Sequence, residues 1–460
     1  MTNKTPPTVT SILQPLSTDE YDAPPRTEVQ RRAAHAASEA GVDAAERVGK
    51  PIRAYVPSQM GTAAGLVALN DAVGERYYEI PPEAGLDEGA AAEAFASDGR
   101  VIDVQTHWIA DRPTLKDFQS NILRFYSMMA PDWWSGLDGV TAYDIAEYLR
   151  CVFVEAETAL AVISCAPANA NGEMFLKNHE MAGMRELFDR TAGTGRLLNH
   201  TVVRPNLGET ERMAEWAATY GPVGWKVYTL GLMDESYQHY QPGFGWRLDD
   251  EETGMPFLEQ ARAVGVPLVC AHKGVSGMVD AGSPDDVGPA AKAFPDINFV
   301  IYHSGYEPGQ DDGPYLPETA DLGVNRLIKT VVDNGHGPGS NVYAELGTTW
   351  YMLLSRPSDA AHVLGKLLLH LGEDNIIWGT DAIWYGPTQP AIDAFRAFQI
   401  PDALCEQYGY PKLTAEAKRK ILAGNAARVY GIDLDALAIA AAADDLSWTR
   451  RVAEEWDPGE

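Results

Sequence analysis

Eight short apolar runs alternate with helical patterns between Asp103 and Asp381, and unusually long segments follow several of those runs. These observations place the sequence in the α/β class and predict a closed (β/α)8 TIM barrel with a mostly helical and extended N-terminal arm and long lid insertions after strands. The length of 460 residues agrees. It exceeds the roughly 100–200 residues of one ordinary domain, and a barrel of ~250 residues before insertions is the common exception.

Residues 1–99 read as the arm or cap. They begin Pro/Thr-rich, continue with an Ala-rich helix over Arg31–Val48, and add a second Ala/Glu segment over Glu83–Ser97. Neither part has the strand content for a sheet of its own. From residue 100 the predicted strands are Val101–Gln105, Ala159–Ser164, Leu197–Val203, Val223–Tyr228, Pro267–Ala271, Asn298–Tyr302, Asn341–Glu345 and Asn375–Gly379. Helices are expected between them at Ala142–Ala156, Glu209–Thr219, Met255–Val264, Asp285–Phe294, Leu322–Asn334 and Ser358–Leu371. Eight strands favour closure over an open sheet, with the barrel over 100–432 and a helical tail over 433–460.

Composition narrows the class. Hydrophobic residues at 45% and charged residues at 22% exclude wholesale disorder. No run approaches the ~18 apolar residues of a membrane helix, and the N-terminus lacks the apolar core of a secretory signal, so a cytoplasmic location is expected. A net charge of −29 repels nucleic acid and anionic membranes, and neither is an expected partner. The four cysteines, Cys151, Cys165, Cys270 and Cys405, form no CxxC pair and read as reduced thiols. Glycine-rich nucleotide loops and a Gly-x-Ser-x-Gly elbow are absent from the sequence.

Trp108–Thr141, Thr229–Gly254 and Ser304–Asp321 exceed the usual two to six residues of a βα connection. Each follows a predicted strand, so each belongs over the C-terminal mouth, where barrel enzymes place their sites. Their aromatics predict a lid over a bulky apolar small-molecule substrate, with Trp133, Trp134 and Tyr306 as candidate substrate-binding residues.

Ligand-type residues recur at the strand ends: Gln105 and His107, Lys226, His272, His303, Glu345 and Asp381. Side chains i and i+2 of a strand share a face, so Gln105 and His107 aim together. Three histidines, two carboxylates, an amide and a lysine converging on one mouth point to a metal site, since a metal removes the penalty of a buried carboxylate. Glu307 and Asp311, just after His303, are candidates to support the metal ligands, although a solvated acidic loop is the favoured reading. His35, His179, His200, His239, His336, His362 and His370 read as structural.

This strand-end pattern, with the segments Trp378-Gly-Thr-Asp381-Ala-Ile-Trp384 and Ile421-Leu-Ala-Gly-Asn425-Ala-Ala-Arg428-Val-Tyr430, resembles the amidohydrolase-related, metal-dependent barrel family over about residues 100–432. Gln105 departs from that family's His-x-His signature, and Glu345 lies outside the hydrolase ligand set. A mixed His/carboxylate/amide set suits Fe(II) at least as well as Zn(II). In this mixed set and its aromatic lids the sequence is similar to the TIM-barrel nonheme diiron monooxygenases of the same descent. That resemblance implies two iron ions, O2 as co-substrate, an electron donor, and hydroxylation of a bulky diterpenoid-like acid or its CoA thioester, as in antibiotic biosynthesis. It also implies Gln105, His107 and Asp381 on one iron and His272, His303 and Glu345 on the other, with either carboxylate able to reach across. Lys226 has two readings, a carbamate as in relatives with a bridging metal pair or a catalytic cation hydrogen-bonded to Asp381 or Glu345; the extra carboxylates favour the cation, and a homo-oligomer is expected. The alternative is a zinc- or manganese-dependent hydrolase or decarboxylase, whose metal activates water or holds a substrate carboxylate.

Overall fold

The barrel wall is built from nine strand segments among the described residues: β1 (Val101–Thr106), β2 (Thr158–Ile163), β3 (Leu197–Asn199), β4 (Thr201–Val202), β5 (Trp225–Tyr228), β6 (Leu268–His272), β7 (Asn298–Tyr302), β8 (Val342–Glu345) and β9 (Ile376–Ile377). The computed structural model describes residues 12–13, 25–97, 100–110, 131, 134, 143–165, 172–234, 239–274, 279–308, 312–447 and 449. Neighbouring strands pair in parallel, in the orders β1-β2-β3 and β4-β5-β6-β7-β8-β9.

The predicted strand Leu197–Val203 is one barrel strand broken at His200. Its first half pairs with β2 and its second with β5. The ladder carries across the break, because the His200 N–H donates to Ile163 O at 2.9 Å and the Thr201 N–H to Gly224 O at 3.2 Å. The ring closes between β1 and the segment after β9. There the Val104 N–H donates to Trp378 O at 3.2 Å and the Asp381 N–H to Gln105 O at 2.9 Å. The predicted strand Asn375–Gly379 shortens to two residues, because Asn375 completes a 3-10 turn and the chain beyond Ile377 meets β1 through single bonds. The expected barrel is therefore the observed one.

Inside the ring, Ile102, Val104, Leu160, Val162, Leu268, Cys270, Val300 and Ile377 form a dry core. Ala423, Ala426 and Leu437 continue it at the floor, where Asn425 donates to Ile376 O at 2.8 Å. Burial of this apolar surface closes the N-terminal end of the barrel and leaves the C-terminal end for polar groups.

The helix predicted from Arg31 starts earlier, at Glu28, because Thr27 and Gln30 form a capping box. A helix over Gln59–Val73, absent from the sequence reading, packs on it through alanines and small residues on both. That second helix is buried on two sides, against the first helix and against the barrel helix Gln389–Ala397, so its apolar residues cover too much of the surface to show a single stripe. Glu83–Ser97 resolves into a 3-10 turn, Pro82–Gly85, and a short helix, Glu88–Ala94. Among the bonds that tie this layer to the barrel, Tyr78 Oη donates to Leu354 O at 2.8 Å, the Glu79 N–H to Ala397 O at 2.8 Å and the Gln399 N–H to Tyr77 O at 2.7 Å. Among the described residues no helix is long and apolar enough to cross a membrane.

The C-terminal helix Leu434–Ala443 is fastened by a buried ion pair, Arg196 to Asp444 at 2.7 Å. Arg196 also donates to Ala159 O and Thr158 O, at 2.7 and 2.8 Å. Arg196→Met strands the Asp444 carboxylate in a buried site, and the expected loss is about 3–5 kcal/mol of stability in urea unfolding. Replacing both partners by apolar residues should recover most of it.

Candidate metal centre

The strand ends bring five polar side chains into one arc. Going round it, His272 Nδ1 lies 3.1 Å from His303 Nε2, and His303 Nε2 lies 3.4 Å from Gln105 Nε2. Gln105 Nε2 donates to Asp381 Oδ1 at 2.8 Å, and Asp381 Oδ1 lies 2.8 Å from His107 Nε2. All five are buried, none more than 5% exposed. The positions follow from the closing seam. Gln105 and His107 extend β1 on one face, while Asp381 lies opposite them and turns its carboxylate inward from a positive φ of 62°. Behind them, Asp103 accepts from Thr380 Oγ1 at 2.5 Å and from the Thr380 N–H at 3.0 Å, which locks the two sides of the seam together.

The histidines are oriented by backbone carbonyls. His107 Nδ1 meets Ser164 O at 2.9 Å and His303 Nδ1 meets Gly347 O at 2.8 Å. A carbonyl can only accept, so both rings carry their proton on Nδ1 and turn an Nε2 lone pair into the arc. His107 then faces the Asp381 carboxylate lone pair to lone pair, a contact that requires a cation between or a second proton on the ring.

Electrostatics separates the two carboxylates. Burial works against an ionised Asp381, but the hydrogen bond and charge of His107 outweigh it and hold the carboxyl well below its usual range. Burial pushes Glu345 up to about 8, and the negative charge of Asp381 adds to that, although the N–H groups of His303 (3.1 Å) and Gly347 (2.7 Å) bond to it. Asp103 is raised to about 7, again mainly by burial. Burial drives His303 down to about 3 and His272 well below its ordinary value, so both imidazoles are neutral.

A divalent ion suits this set. Neighbouring ligands on an ion at ~2.1 Å sit roughly 3 Å apart, which is the spacing found along the arc. Gln105 Oε1 is buried with no hydrogen-bond partner, and a half-turn of the amide would exchange it with the nitrogen. Among the described residues no group of three or more His, Cys, Asp or Glu side chains has the geometry of a preformed metal site, because these donors bond to one another. The chemistry still fits: the neutral imidazoles of His272 and His303, one anionic oxygen and one orphaned amide oxygen.

Lys226 lies lower in the barrel, its Nζ 3.5 Å from the Tyr302 ring centroid and 4.8 Å from that of Tyr228. Tyr306 is 2% exposed and accepts from Arg356 at 3.3 Å. Trp134 is buried, donates to Glu147 Oε1 at 3.0 Å and packs edge-on against Tyr143. Trp133 and Asp311 lie outside the described residues. Glu307 is buried beside Arg326 at 3.4 Å rather than solvated, which corrects its sequence reading. Sequence reasoning missed Thr348, whose hydroxyl bonds to Asp381, and Trp384, which stacks on His107 at 5.5 Å. Trp384 was visible three residues beyond Asp381, but nothing in the sequence pointed to Thr348.

A parallel barrel with imidazoles and a carboxylate at its strand ends is the layout of a metal-dependent barrel enzyme. The chain belongs to the amidohydrolase family, whose model matches residues 102–432. No curated protein sequence matches it. Among solved structures it is similar to a dihydroxybenzoic acid decarboxylase from a Polaromonas species with bound manganese and 2-nitroresorcinol, at 14% identity and TM-score 0.45, covering 72% of this chain and 96% of that one. It is also similar to a zinc-bound amidohydrolase from Burkholderia multivorans (16%, TM-score 0.43, 72% and 99%) and to 2,6-dihydroxybenzoate decarboxylase from Rhizobium (15%, TM-score 0.42, 72% and 98%).

The expected diiron monooxygenase is corrected here. The family whose model matches the chain is that of the amidohydrolases. With that reading go its two iron ions, O2 and diterpenoid hydroxylation. In this arc Gln105 Nε2 lies 3.4 Å from His303 Nε2, and Glu345 turns its oxygens to backbone N–H groups.

Gly379 and Gly347 leave room for this packing, since a Cβ on either would overlap Glu345 Oε1. Gly379→Ala should displace Glu345 against Gln105. The expected outcome is a lower melting temperature and reduced metal uptake on the same sample, read by thermal melt and elemental analysis.

Proposed function

We propose that this chain is a metal-dependent hydrolase or decarboxylase that works with a single divalent ion, manganese or zinc. The observation that carries the reading is the approach of His107 Nε2 to Asp381 Oδ1 at 2.8 Å, with His107 Nδ1 already committed to Ser164 O. Asp381, His107, His272 and His303, with Gln105 Oε1, would hold the ion. When bound, the ion supplies Lewis acidity toward a water or a substrate carboxylate.

The remaining residues set charge and access. Burial raises the Glu345 carboxyl to about 8, which disfavours a second negative charge beside Asp381. One carboxylate charge suits one divalent ion better than two. Lys226 above the π face of Tyr302 favours an ammonium over a carbamate, because the electron-rich ring face attracts a cation and repels an anion. Trp384, Phe175 and Tyr143 pack in sequence behind His107 and keep that flank of the arc dry. Exclusion of water strengthens each electrostatic contact there.

Elemental analysis of purified protein should find about one manganese or zinc per chain. Chelation should abolish activity toward carboxylated phenols or carboxylic amides and esters, and either metal should restore it. Asp381→Asn should lose the metal and keep the fold. Two irons per chain with O2-dependent turnover would overturn the proposal.

A further inference from the structure

Among the described residues four non-glycine positions have positive φ: His303, Ser304, Thr348 and Asp381. All four sit at the ends of β7, β8 and the closing seam, around the metal centre. Two are donors of the arc, and Ser304 follows His303 and bonds to Glu345 O at 2.7 Å. Thr348 is the one without an assigned task. At φ 58° and ψ −47° it occupies a backbone region that a β-branched side chain rarely adopts. Strain of this kind persists only where the surroundings impose it.

The surroundings of Thr348 are polar and closed. Its side chain is buried, and its Oγ1 donates to Asp381 Oδ2 at 2.6 Å. Tyr385 Oη lies 3.1 Å from the same Oγ1. A carboxylate only accepts, so the threonine proton goes to Asp381, and the tyrosine hydroxyl donates to the threonine oxygen. Asp381 Oδ1, on the other side of the carboxylate, is the atom facing His107 and Gln105. The same loop reaches His303, through Gly347 O to its Nδ1 at 2.8 Å and through Thr349 Oγ1 to its carbonyl at 2.9 Å.

We infer that Thr348 is a positioning residue of the metal centre: its hydroxyl, oriented by Tyr385, fixes the outer oxygen of Asp381 and thereby aims the inner oxygen at the ion. This rests on the metal-dependent reading above. Partners of metal ligands typically contribute 10–100-fold to affinity.

The test measures the dissociation constant of Mn2+ by titrating chelator-stripped protein in the presence of a competing chelator dye. Thr348→Val keeps the β-branched shape at the strained φ and removes only the hydroxyl. It should weaken Mn2+ binding by about 10–100-fold. Thr348→Ser keeps the hydroxyl and should bind as the wild type does. Tyr385→Phe removes the orienting donor and should fall between the two. Equal affinity for Thr348→Val and wild type, or failure of Thr348→Ser to restore binding, overturns the role of Thr348 while leaving the metal reading intact. A wild-type protein that takes up neither Mn2+ nor Zn2+ overturns the metal reading, and this inference with it. Should Thr348→Val prove insoluble, Tyr385→Phe decides alone, and an unchanged dissociation constant overturns the proposal.

Discussion

The carboxylate of Asp381 is the contact on which the mouth of this barrel depends. Its Oδ1 meets His107 and Gln105, its Oδ2 takes the Thr348 hydroxyl, and its own N–H donates to Gln105 O. One residue therefore helps to close the seam between β1 and the end of the barrel and also gathers polar side chains from the ends of β1 and β8. A buried carboxylate without such partners would pay a desolvation penalty of several kcal/mol. Satisfying it draws His107, Gln105 and Thr348 into fixed positions, and the positive φ of Asp381 is tolerated because those contacts impose it.

The carboxyl groups near the seam are shifted in opposite directions, Asp381 down and Glu345 and Asp103 up, for reasons that lie in their immediate neighbours. Asp381 has an imidazole and a hydroxyl against its oxygens and stays ionised. Glu345 and Asp103 are equally buried, accept mainly from backbone or hydroxyl donors, and feel the negative charge of Asp381. Both are raised. Ionising one carboxylate makes ionising its neighbours harder, so the site concentrates its charge on a single oxygen pair. The net charge of −29 says nothing about this local division.

The long insertions are tied down from below. Lys273 pairs with Asp286 at 2.8 Å with both side chains buried, and Asp286 also accepts from the Leu248 N–H, so the segment over 229–254 is pinned at its base. Lys366 holds Asp312 at 2.8 Å and does the same for the segment after β7. Trp246 and Tyr306, read from the sequence as lid aromatics, are packed in these anchored parts. Breaking such a pair by removing one partner leaves an uncompensated buried charge, which makes these bases rigid supports for whatever the outer loop residues contact.

The sequence by itself determined the barrel, the order of its strands, and the polar residues at their ends, because hydrophobic periodicity and the i, i+2 rule of a strand are local properties. It gathered Gln105, His107, Lys226, His272, His303, Glu345 and Asp381 at one mouth, and the atoms of five of them, Gln105, His107, His272, His303 and Asp381, lie within hydrogen-bond distance along one arc. Only the tertiary structure decided how the donors divide. Gln105 touching His303 and Glu345 turning to backbone N–H groups both depend on which strand ends meet across the ring. The break at His200, the doubly buried helix Gln59–Val73 and the placement of Thr348 against Asp381 are likewise products of contacts between residues far apart in the chain. Local pattern carries no record of such contacts.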